Sequence, residues 1–525
     1  MRYHRHLLPA FLGVLAVLAA ALSAAAAGDV LRVQILGVND FHGAILETSR
    51  IENRPAGGAA VLAAWLLERE RANPRTLMVH AGDMVGASQP VSALLQDEPT
   101  VEILDFLGFD VGAPGNHDFD EGPAELMRLL HGGHHPATGY FTGASFPLVA
   151  ANVVDAGTKR PLLPPYAVKT VEGVPIAFIG VVTAETPRIT TADGVAGLEF
   201  LDPAASINHY LPVLHEKGVE AIVVLAHEGG IQKKARIEGP IAELAAAIGD
   251  AVDVIVSGHT HTALNGVVDG KLIVQARSSG TAFADIDLAI DRTAGDVISA
   301  KAEIVTAWAD VRAPDQRIAA LIAPALERVR PLIERRVAET SDAITRTPNE
   351  AGESALGDLI ADAQRWAAGT QIAFTNPGGI RRDLPAGAVT WGVLYECQPF
   401  GNNLMRFRMT GDQIRRLLEE QWATGRMLQI AGLRYTWDAA RPPGDRVVKL
   451  ALADGEPVAR DKTYTAAANS FLAAGGDGFT VFAEIAAQEA VMCDLDALVG
   501  YLQTLKQPIA ARIDGRITKE FARLT

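Results

Sequence analysis

Cysteine is nearly absent from this 525-residue sequence, which contains only Cys397 and Cys493. The count argues against a disulfide framework and against a cysteine-rich metal site. An oxidising compartment would permit one disulfide, but sequence alone does not show that the two residues meet. We expect both to be buried and to behave as small hydrophobic residues.

The sequence also lacks an excess of positive charge. It has 47 lysines and arginines against 62 acidic residues, a formal net charge of -15. A nucleic-acid binder usually presents a basic surface, so no nucleic acid polymer is expected as a partner. An acidic protein can still bind anionic small molecules where metals or a few arginines make the local field positive.

Only one long hydrophobic run is present, at the N-terminus. A basic segment, Arg2 to His6, precedes the apolar residues Leu7 to Leu22 and the small residues Ala24 to Ala27. The run is short for a membrane span of about 20 residues, so residues 1–27 are predicted to be a cleaved signal peptide. Neither a second such run nor a hydrophobic tail before Thr525 is found, so no stable membrane anchor is expected. The prediction is a secreted or periplasmic protein.

The length predicts more than one domain, because 525 residues exceed an ordinary single core. Apolar strands alternate with amphipathic helices over residues 29–307, which predicts an α/β domain. Residues 308–340 are charged and helical, with expected breaks at Pro324 and Pro331, and are interpreted as a connector. A second, smaller α/β domain is predicted over residues 341–525, with Ser354 capping a helix that ends near Ala368.

Residue types that bind metals follow five of the predicted strands. Strand C-termini in α/β sheets direct side chains into a common crevice, so these residues are expected to lie together. Collecting so many buried carboxylates and imidazoles has little structural reason unless cations neutralise them. These residues lie in the segments Asn39 to Gly43, His80 to Asp83, Asn116 to Asp120, His227 to Glu228 and Ser257 to His261.

These motifs resemble those of the calcineurin-type metallophosphatases, whose domain is a β-sandwich flanked by helices. The resemblance implies that Asp40, His42 and His261 bind one metal. It implies that Asn116, His227 and His259 bind a second, and that Asp83 bridges the two. Mixed nitrogen and oxygen ligands favour two divalent transition metals, Zn, Mn, Fe or Co.

His117 is not needed as a ligand and resembles the catalytic histidine of that family. Asp120, three residues later, resembles the carboxylate that orients it. The alternative for Asp120 is a helix cap for the segment that begins at Gly122. A further pair, His134 and His135, is interpreted as a solvated loop.

Three motifs of the second domain follow predicted strands or a helix: Asn376-Pro377-Gly378-Gly379-Ile380-Arg381, Gln398-Pro399-Phe400-Gly401-Asn402 and Phe471 to Phe479. Together they are similar to the C-terminal domain of the 5'-nucleotidase and UDP-sugar hydrolase family. By that resemblance Phe400 and Phe471 sandwich a nucleobase, and Asp477 binds the ribose hydroxyls. Asn376 and Asn402 correspond to other contacts with the nucleoside, and Arg381 to a phosphate contact. The family's arginine before the Leu356-Gly357-Asp358-Leu359 helix start is missing, and Arg382 is a possible substitute.

The sequence therefore predicts a secreted two-metal phosphoesterase that converts nucleotides to nucleoside and phosphate. A UDP-sugar hydrolase or a 2',3'-cyclic phosphodiesterase/3'-nucleotidase is the first alternative. An inactive nucleotide-binding protein is the alternative from another class. The preferred nucleotide and the oligomeric state stay open.

Overall fold

A computed structural model describes residues 29–47, 49–485 and 487–520. The predicted signal peptide, residues 1–27, lies outside the described residues. Within these ranges no helix combines the length and the apolar character that crossing a membrane requires. Strands and helices alternate along most of the chain, which confirms the predicted α/β class.

The N-terminal part is built on two mixed β-sheets that pack face to face. The first sheet has five strands, which in spatial order are Asp296–Thr306, Ala282–Asp291, Val30–Val38, Thr76–Ala81 and Val111–Ala113. The second has six, in the order Ala263–Val268, Lys271–Ala276, Val254–Ser257, Ala221–His227, Val174–Val182 and Tyr166–Val171. Val33 and Ile35 of the first sheet meet Phe178 and Val223 of the second in the core between them.

Helices cover the outer faces of both sheets. Ala59–Ala72 and Glu98–Leu107 pack on the first sheet, and Pro203–Glu216 and Pro240–Ala247 pack on the second. Strands buried on both faces read as continuous apolar runs, which explains the composition of Ala221–His227. The remaining short elements are the helices Pro90–Ala93, Pro123–His131 and Thr186–Ile189, the 3-10 turn His117–Phe119, and strands Arg50–Ile51, Arg54–Pro55, Gly133–His135, Gly139–Phe141, Val153–Asp155, Leu198–Phe200, Ile231–Lys233 and Arg236–Glu238.

One helix, Gln316–Ile333, connects the two halves of the molecule. It contains Pro324 and Pro331 without interruption, so the predicted breaks are wrong. A proline inside a helix costs about 3 kcal/mol, and tertiary packing can offset that cost. Here the helix packs against Ala59–Ala72 on one side and Trp391–Cys397 on the other.

The C-terminal part contains a five-stranded and a three-stranded sheet. The five strands are Gln429–Ala431, Ile372–Thr375, Thr463–Asn469, Asn403–Thr410 and Gln488–Cys493, and the three are Val447–Leu452, Leu433–Asp438 and Ile517–Glu520. Arg336–Thr340 pairs with Gly387–Thr390 as a separate ribbon. The helices are Ala355–Ala368, Trp391–Cys397, Gly411–Thr424, Ser470–Ala473 and Asp494–Thr504, with 3-10 turns at Pro377–Gly379, Gly476–Gly478 and Thr480–Glu484. The Ser354 hydroxyl accepts the N–H of Gly357 at 3.1 Å, which confirms the predicted cap.

Two smaller expectations are corrected. His134 and His135 lie in the strand Gly133–His135, which pairs with Gly139–Phe141, and not in a loop. Cys397 is buried as expected, but Cys493 is half-buried because it ends a strand at the edge of its sheet. Neither cysteine forms a disulfide with another described residue.

His80 is a polar side chain buried in an apolar environment behind the first sheet. Its ring packs against Phe109 and Phe146, with centroids 5.8 and 5.6 Å away. Both ring nitrogens lack a hydrogen-bond partner among the described residues. The ring occupies the room left by Gly112, where a Cβ atom would stand 1.9 Å from Nε2. Burial lowers the pKa of His80 from 6.5 to about 3, so the folded protein holds it neutral.

We expect His80→Leu to stabilise the protein more at about pH 5 than at about pH 7.5. A histidine with a depressed folded-state pKa contributes fully to stability above its unfolded-state pKa, and this contribution is lost as the pH falls. As the pH falls from the ordinary histidine pKa to about 5, the free energy of unfolding decreases by roughly 2 kcal/mol. A leucine at position 80 does not titrate, so the variant avoids this decrease. Urea unfolding of both proteins at the two pH values measures the difference. An equal stability difference at both would contradict the prediction.

Candidate functional site

The seven candidate metal ligands converge at one edge of the two sheets. Five strands deliver them, because the parallel strands of each sheet end at that edge. Asp40 and His42 follow Val30–Val38, Asp83 follows Thr76–Ala81, Asn116 follows Val111–Ala113, His227 ends Ala221–His227, and His259 and His261 follow Val254–Ser257.

Asp40, His42 and His261 form one group whose ligand atoms lie close enough to hold a metal ion. His42 Nε2 lies 3.1 Å from His261 Nε2. His261 Nε2 lies 3.3 Å from Asp40 Oδ1. Burial would raise the pKa of Asp40, but His261 and His227 lower it to about 2. The group is therefore a carboxylate flanked by imidazoles, a donor set that suits transition metals.

Asp83 and His227 form a second group, which shares Asp40 with the first. His227 Nε2 lies 3.1 Å from Asp83 Oδ2, and His42 Nε2 lies 3.7 Å from the same oxygen. Burial would raise the pKa of Asp83, yet His227 and His117 lower it well below its usual value. Asp83 Oδ2 therefore lies near one histidine of each group, His42 and His227.

Two further candidates adjoin this second group. The rings of His227 and His259 are 5.3 Å apart. Asn116 Oδ1 is buried and accepts no hydrogen bond from the described residues. An orphaned buried acceptor costs about 1–3 kcal/mol unless another partner satisfies it. Asn116 Oδ1 therefore fits the role of a metal ligand.

The tautomers of His42 and His227 are fixed by backbone carbonyls. His42 Nδ1 lies 2.8 Å from Gly86 O, and His227 Nδ1 lies 2.8 Å from Ala81 O. Because a carbonyl only accepts hydrogen bonds, each Nδ1 must donate, which leaves Nε2 to act as a ligand. Burial also lowers the pKa of His42 and of His259 to about 3, so both rings are neutral.

Five of the seven candidates have left-handed backbone conformations. The φ angles are 49° at Asp40, 50° at His42, 51° at Asp83, 77° at His259 and 56° at His261. Such conformations cost about 1–3 kcal/mol each for ordinary residues and cluster at functional sites. At His259 the backbone N–H donates to both oxygens of Asp40 at 3.0 Å, which helps to hold that residue in place.

His117 lies beside this cluster and is paired with Asp120. His117 Nδ1 is 2.8 Å from Asp120 Oδ2, and the His117 N–H donates to Asp83 Oδ1 at 2.8 Å. Burial opposes protonation, but Asp120 and Asp83 prevail and raise the pKa of His117 above 6.5. Asp120 is not a helix cap, because Gly122 occupies the N-cap position of Pro123–His131.

The six candidates from the C-terminal part face the same space. A cavity of about 400 Å³ is lined by Asn116, His117, Asp120 and His259 from one half of the molecule. The other half supplies Asn376, Arg381, Phe400, Asn402, Phe471 and Asp477. The two sets of residues that the sequence places far apart therefore share one cavity.

Phe400 connects the two halves directly. Its ring stacks on His117 with centroids 5.5 Å apart and an interplanar angle of 20°. The guanidinium of Arg381 lies 5.8 Å from the centre of the same ring. The aromatic ring thus covers one face of the histidine that lies beside the metal-ligand cluster.

The polar residues that line the cavity in the C-terminal part form hydrogen bonds with one another. Asn376 Nδ2 donates to Asp477 Oδ2 at 2.8 Å, and Asn469 Nδ2 donates to Asn376 Oδ1 at 3.0 Å. Asn402 Oδ1 accepts the N–H of Phe471 at 3.3 Å. Asn402 therefore holds the backbone of Phe471 in position.

Several residues of the site were missed from sequence. Arg426 and Asn469 line the cavity, and Arg426 Nη1 contacts Asp477 Oδ1. Asn39 donates to Asp40 Oδ2 at 2.6 Å, and Asp118 Oδ2 accepts the N–H groups of Asp83 and Gly115. Asn39 and Asp118 adjoin predicted ligands in sequence, which was the available signal. Arg382, the suggested substitute for the missing arginine, forms an ion pair with Glu396.

Sequence models of two families match the chain. Calcineurin-like phosphoesterase matches residues 33–263, and 5'-nucleotidase, C-terminal domain, matches residues 336–484. Endonuclease YhcR of Bacillus subtilis is 40% identical over 497 residues, which cover 92% of this chain and 41% of that protein. The chain therefore spans less than half the length of that relative.

Two other relatives match over most of their length. Cell wall protein Lmo0130 of Listeria monocytogenes is 36% identical over 549 residues, covering 94% of this chain and 70% of that protein. The crystal structure of a 5'-nucleotidase precursor from Thermus thermophilus superposes with a TM-score of 0.80 at 30% identity, covering 93% of this chain and 99% of that one. The chain thus belongs to the 5'-nucleotidase family, as a metal-dependent phosphoesterase with a calcineurin-like domain and a 5'-nucleotidase C-terminal domain.

Proposed function

We propose that this chain hydrolyses nucleotides to nucleoside and phosphate outside the cytoplasm. The observation that carries the proposal is the single cavity in which His117 and His259 face Phe400, Phe471 and Asp477. A phosphate at the metal-ligand cluster and a base beside the phenylalanines would then belong to one molecule. An extracytoplasmic location is supported by the signal-like sequence of residues 1–27 and by a relative named as a cell wall protein.

Two divalent transition metals are proposed at the ligand cluster. Asp40, His42 and His261 would hold one, and Asn116, His227 and His259 the other, with Asp83 shared by both. Such ions neutralise phosphate charge and make water a nucleophile near neutral pH. The unpartnered Asn116 Oδ1 and the neutral rings of His42 and His259 support this assignment.

The remaining residues would divide the work of hydrolysis. Water adds its oxygen to phosphorus, the ester P–O bond breaks, and the leaving oxygen receives a proton. His117 is the proposed acid, because Asp120 holds its Nδ1 and raises its pKa, which favours the protonated ring. Arg381 would contact phosphate, Asn376 and Asp477 the ribose, and Phe400 and Phe471 the base. Asn402 would contact the nucleoside and keep Phe471 in position.

A substrate panel tests this proposal against its alternatives. Phosphate release is measured with added Mn or Zn for nucleoside 5'-monophosphates, a UDP-sugar, a 2',3'-cyclic nucleotide and an aryl phosphate. The proposal predicts the highest kcat/KM for the 5'-monophosphates. Preferred cleavage of the UDP-sugar or of the cyclic nucleotide would select those alternatives. A nucleotide that binds unchanged in the presence of metal would indicate a binding protein.

Replacing Phe471 with alanine should separate nucleotides from simple esters. Base stacking on an aromatic ring contributes about 1–3 kcal/mol, so nucleotide kcat/KM should fall by one to two powers of ten, roughly. Phe400→Ala combined with Phe471→Ala should enlarge the loss. An aryl phosphate has no nucleobase to stack, so its hydrolysis by the Phe471 variant should change little.

The exposed Phe106, which lies outside the cavity, provides a matched control. Phe106→Ala should leave both substrates unaffected. If Phe471→Ala lowers nucleotide and aryl phosphate hydrolysis equally, Phe471 is a packing residue, and the nucleotide proposal loses its main support.

A further inference from the structure

Arg426 is a cationic side chain of the cavity to which the proposed function gives no role. It follows the helix Gly411–Thr424 and a glycine, Gly425, with a φ of 69°. The Arg426 N–H donates to Gln421 O at 3.1 Å and to Thr424 Oγ1 at 3.3 Å. The backbone that presents the guanidinium is therefore fixed by the end of the helix.

The guanidinium contacts the residue that is proposed to bind ribose. Arg426 Nη1 touches Asp477 Oδ1, while Asp477 Oδ2 accepts the amide of Asn376 at 2.8 Å. The Asp477 side chain is 4% exposed, whereas that of Arg426 is 35% exposed and lines the cavity. A guanidinium carries five N–H donors, and one carboxylate accepts at most a two-bond fork, so donors remain for a ligand.

The charges around Arg426 favour an additional anion. Asp477 alone would repel a phosphate near the ribose, and Arg426 cancels that negative charge at contact distance. Burial lowers the pKa of Arg426, and the negative charge of Glu185 raises it. The Glu185 side chain is 64% exposed and lies 3.7 Å from Arg188, so solvent and a second cation weaken its influence. Arginine is also suited to phosphate, because its planar fork can donate two parallel hydrogen bonds.

We propose that Arg426 forms a subsite for a second phosphate, carried on the ribose 2' or 3' oxygen of a nucleotide. The 5'-phosphate of the same molecule would lie at the metal-ligand cluster. The inference rests on the proposed function, since Asp477 marks the ribose position only if the cavity holds a nucleotide. The substrates are nucleoside 3',5'- or 2',5'-bisphosphates, and hydrolysis of the 5' ester yields a nucleoside 2'- or 3'-monophosphate and phosphate.

Selectivity between one and two phosphates tests the subsite. The metal-loaded protein is assayed with adenosine 5'-monophosphate and with adenosine 3',5'- and 2',5'-bisphosphate. Loss of a charge-assisted hydrogen bond should lower the ratio of bisphosphate to monophosphate kcat/KM by about tenfold or more in Arg426→Gln and Arg426→Ala. The monophosphate rate should itself decrease, because Asp477 loses its partner.

One control variant and three contrary results separate the subsite from the proposed function. Arg441 pairs with Asp438 and Asp445 and is not a cavity residue, so Arg441→Ala should leave the ratio unchanged. Equal losses for mono- and bisphosphates in the Arg426 variants would make Arg426 a positioning residue for Asp477 and overturn the subsite. Wild-type protein that hydrolyses the monophosphate but neither bisphosphate would also overturn it. Hydrolysis of an aryl phosphate without hydrolysis of any nucleotide would instead refute the proposed function, and the subsite with it. The preferred bisphosphate identifies the ribose oxygen.

Discussion

Replacing His117 with alanine is expected to lower kcat by about 10²–10⁴ while the metal content stays unchanged. His117 Nδ1 is paired with Asp120, and its ring lies beside the metal-ligand cluster while remaining outside both metal-binding groups. The residue should therefore act on the transition state and not on the ions, so kcat falls and metal affinity does not. Steady-state kinetics and elemental analysis of the purified variant measure both quantities.

Asp120→Asn is the matched variant for this prediction. Asp120 raises the pKa of His117, so its neutralisation should let the ring lose its proton at lower pH. The alkaline limb of the kcat profile should then move to lower pH, while some activity remains. Loss of metal from the His117 variant would make His117 a ligand and contradict the assignment.

Asp83→Ala should abolish activity together with metal binding. Its carboxylate lies 3.1 Å from His227 Nε2 and 3.7 Å from His42 Nε2, so it serves both halves of the ligand cluster. Metal ions provide several kcal/mol of transition-state stabilisation, so the rate should fall by at least about a thousandfold. Metal analysis and phosphate release test this, and chelation of the wild-type protein should reproduce the loss.

Asp118→Asn is the control, because it changes a neighbouring carboxyl group that is no proposed ligand. Burial and the charge of Asp83 raise the pKa of Asp118 to about 8, which favours its neutral form. An asparagine oxygen can accept the same N–H groups of Asp83 and Gly115. Metal should therefore stay bound in this variant. Full activity and metal content in Asp83→Ala would refute the cluster.

The strand ends of the N-terminal part were predictable because a simple rule governs them. Residues after parallel strands share one edge of a sheet, so Asp40, Asp83 and His227 could be grouped from sequence. The connecting helix was less predictable, since its passage through Pro324 and Pro331 depends on packing with both halves.

The residues that line the cavity were even harder to predict from sequence. Phe400, Phe471 and Asp477 were reached through resemblance, because no local pattern brings them together. Arg426 gave no signal at all, since its contact with Asp477 joins segments 51 residues apart through tertiary packing. The left-handed backbone at His42 and His261 was not predictable either, because no glycine stands at these positions to mark it.

The stacking of Phe400 on His117 has a consequence for which molecules the cavity admits. Under the proposed function, a substrate must separate these rings to reach the acid. A nucleotide replaces the lost contact between Phe400 and His117 with a contact between Phe400 and its base. The energy lost by separating the rings is therefore nearly recovered. A phosphate ester without a nucleobase separates the same two rings but forms no base contact with Phe400 in their place. Discrimination between them therefore begins at entry, before any bond of the substrate is strained.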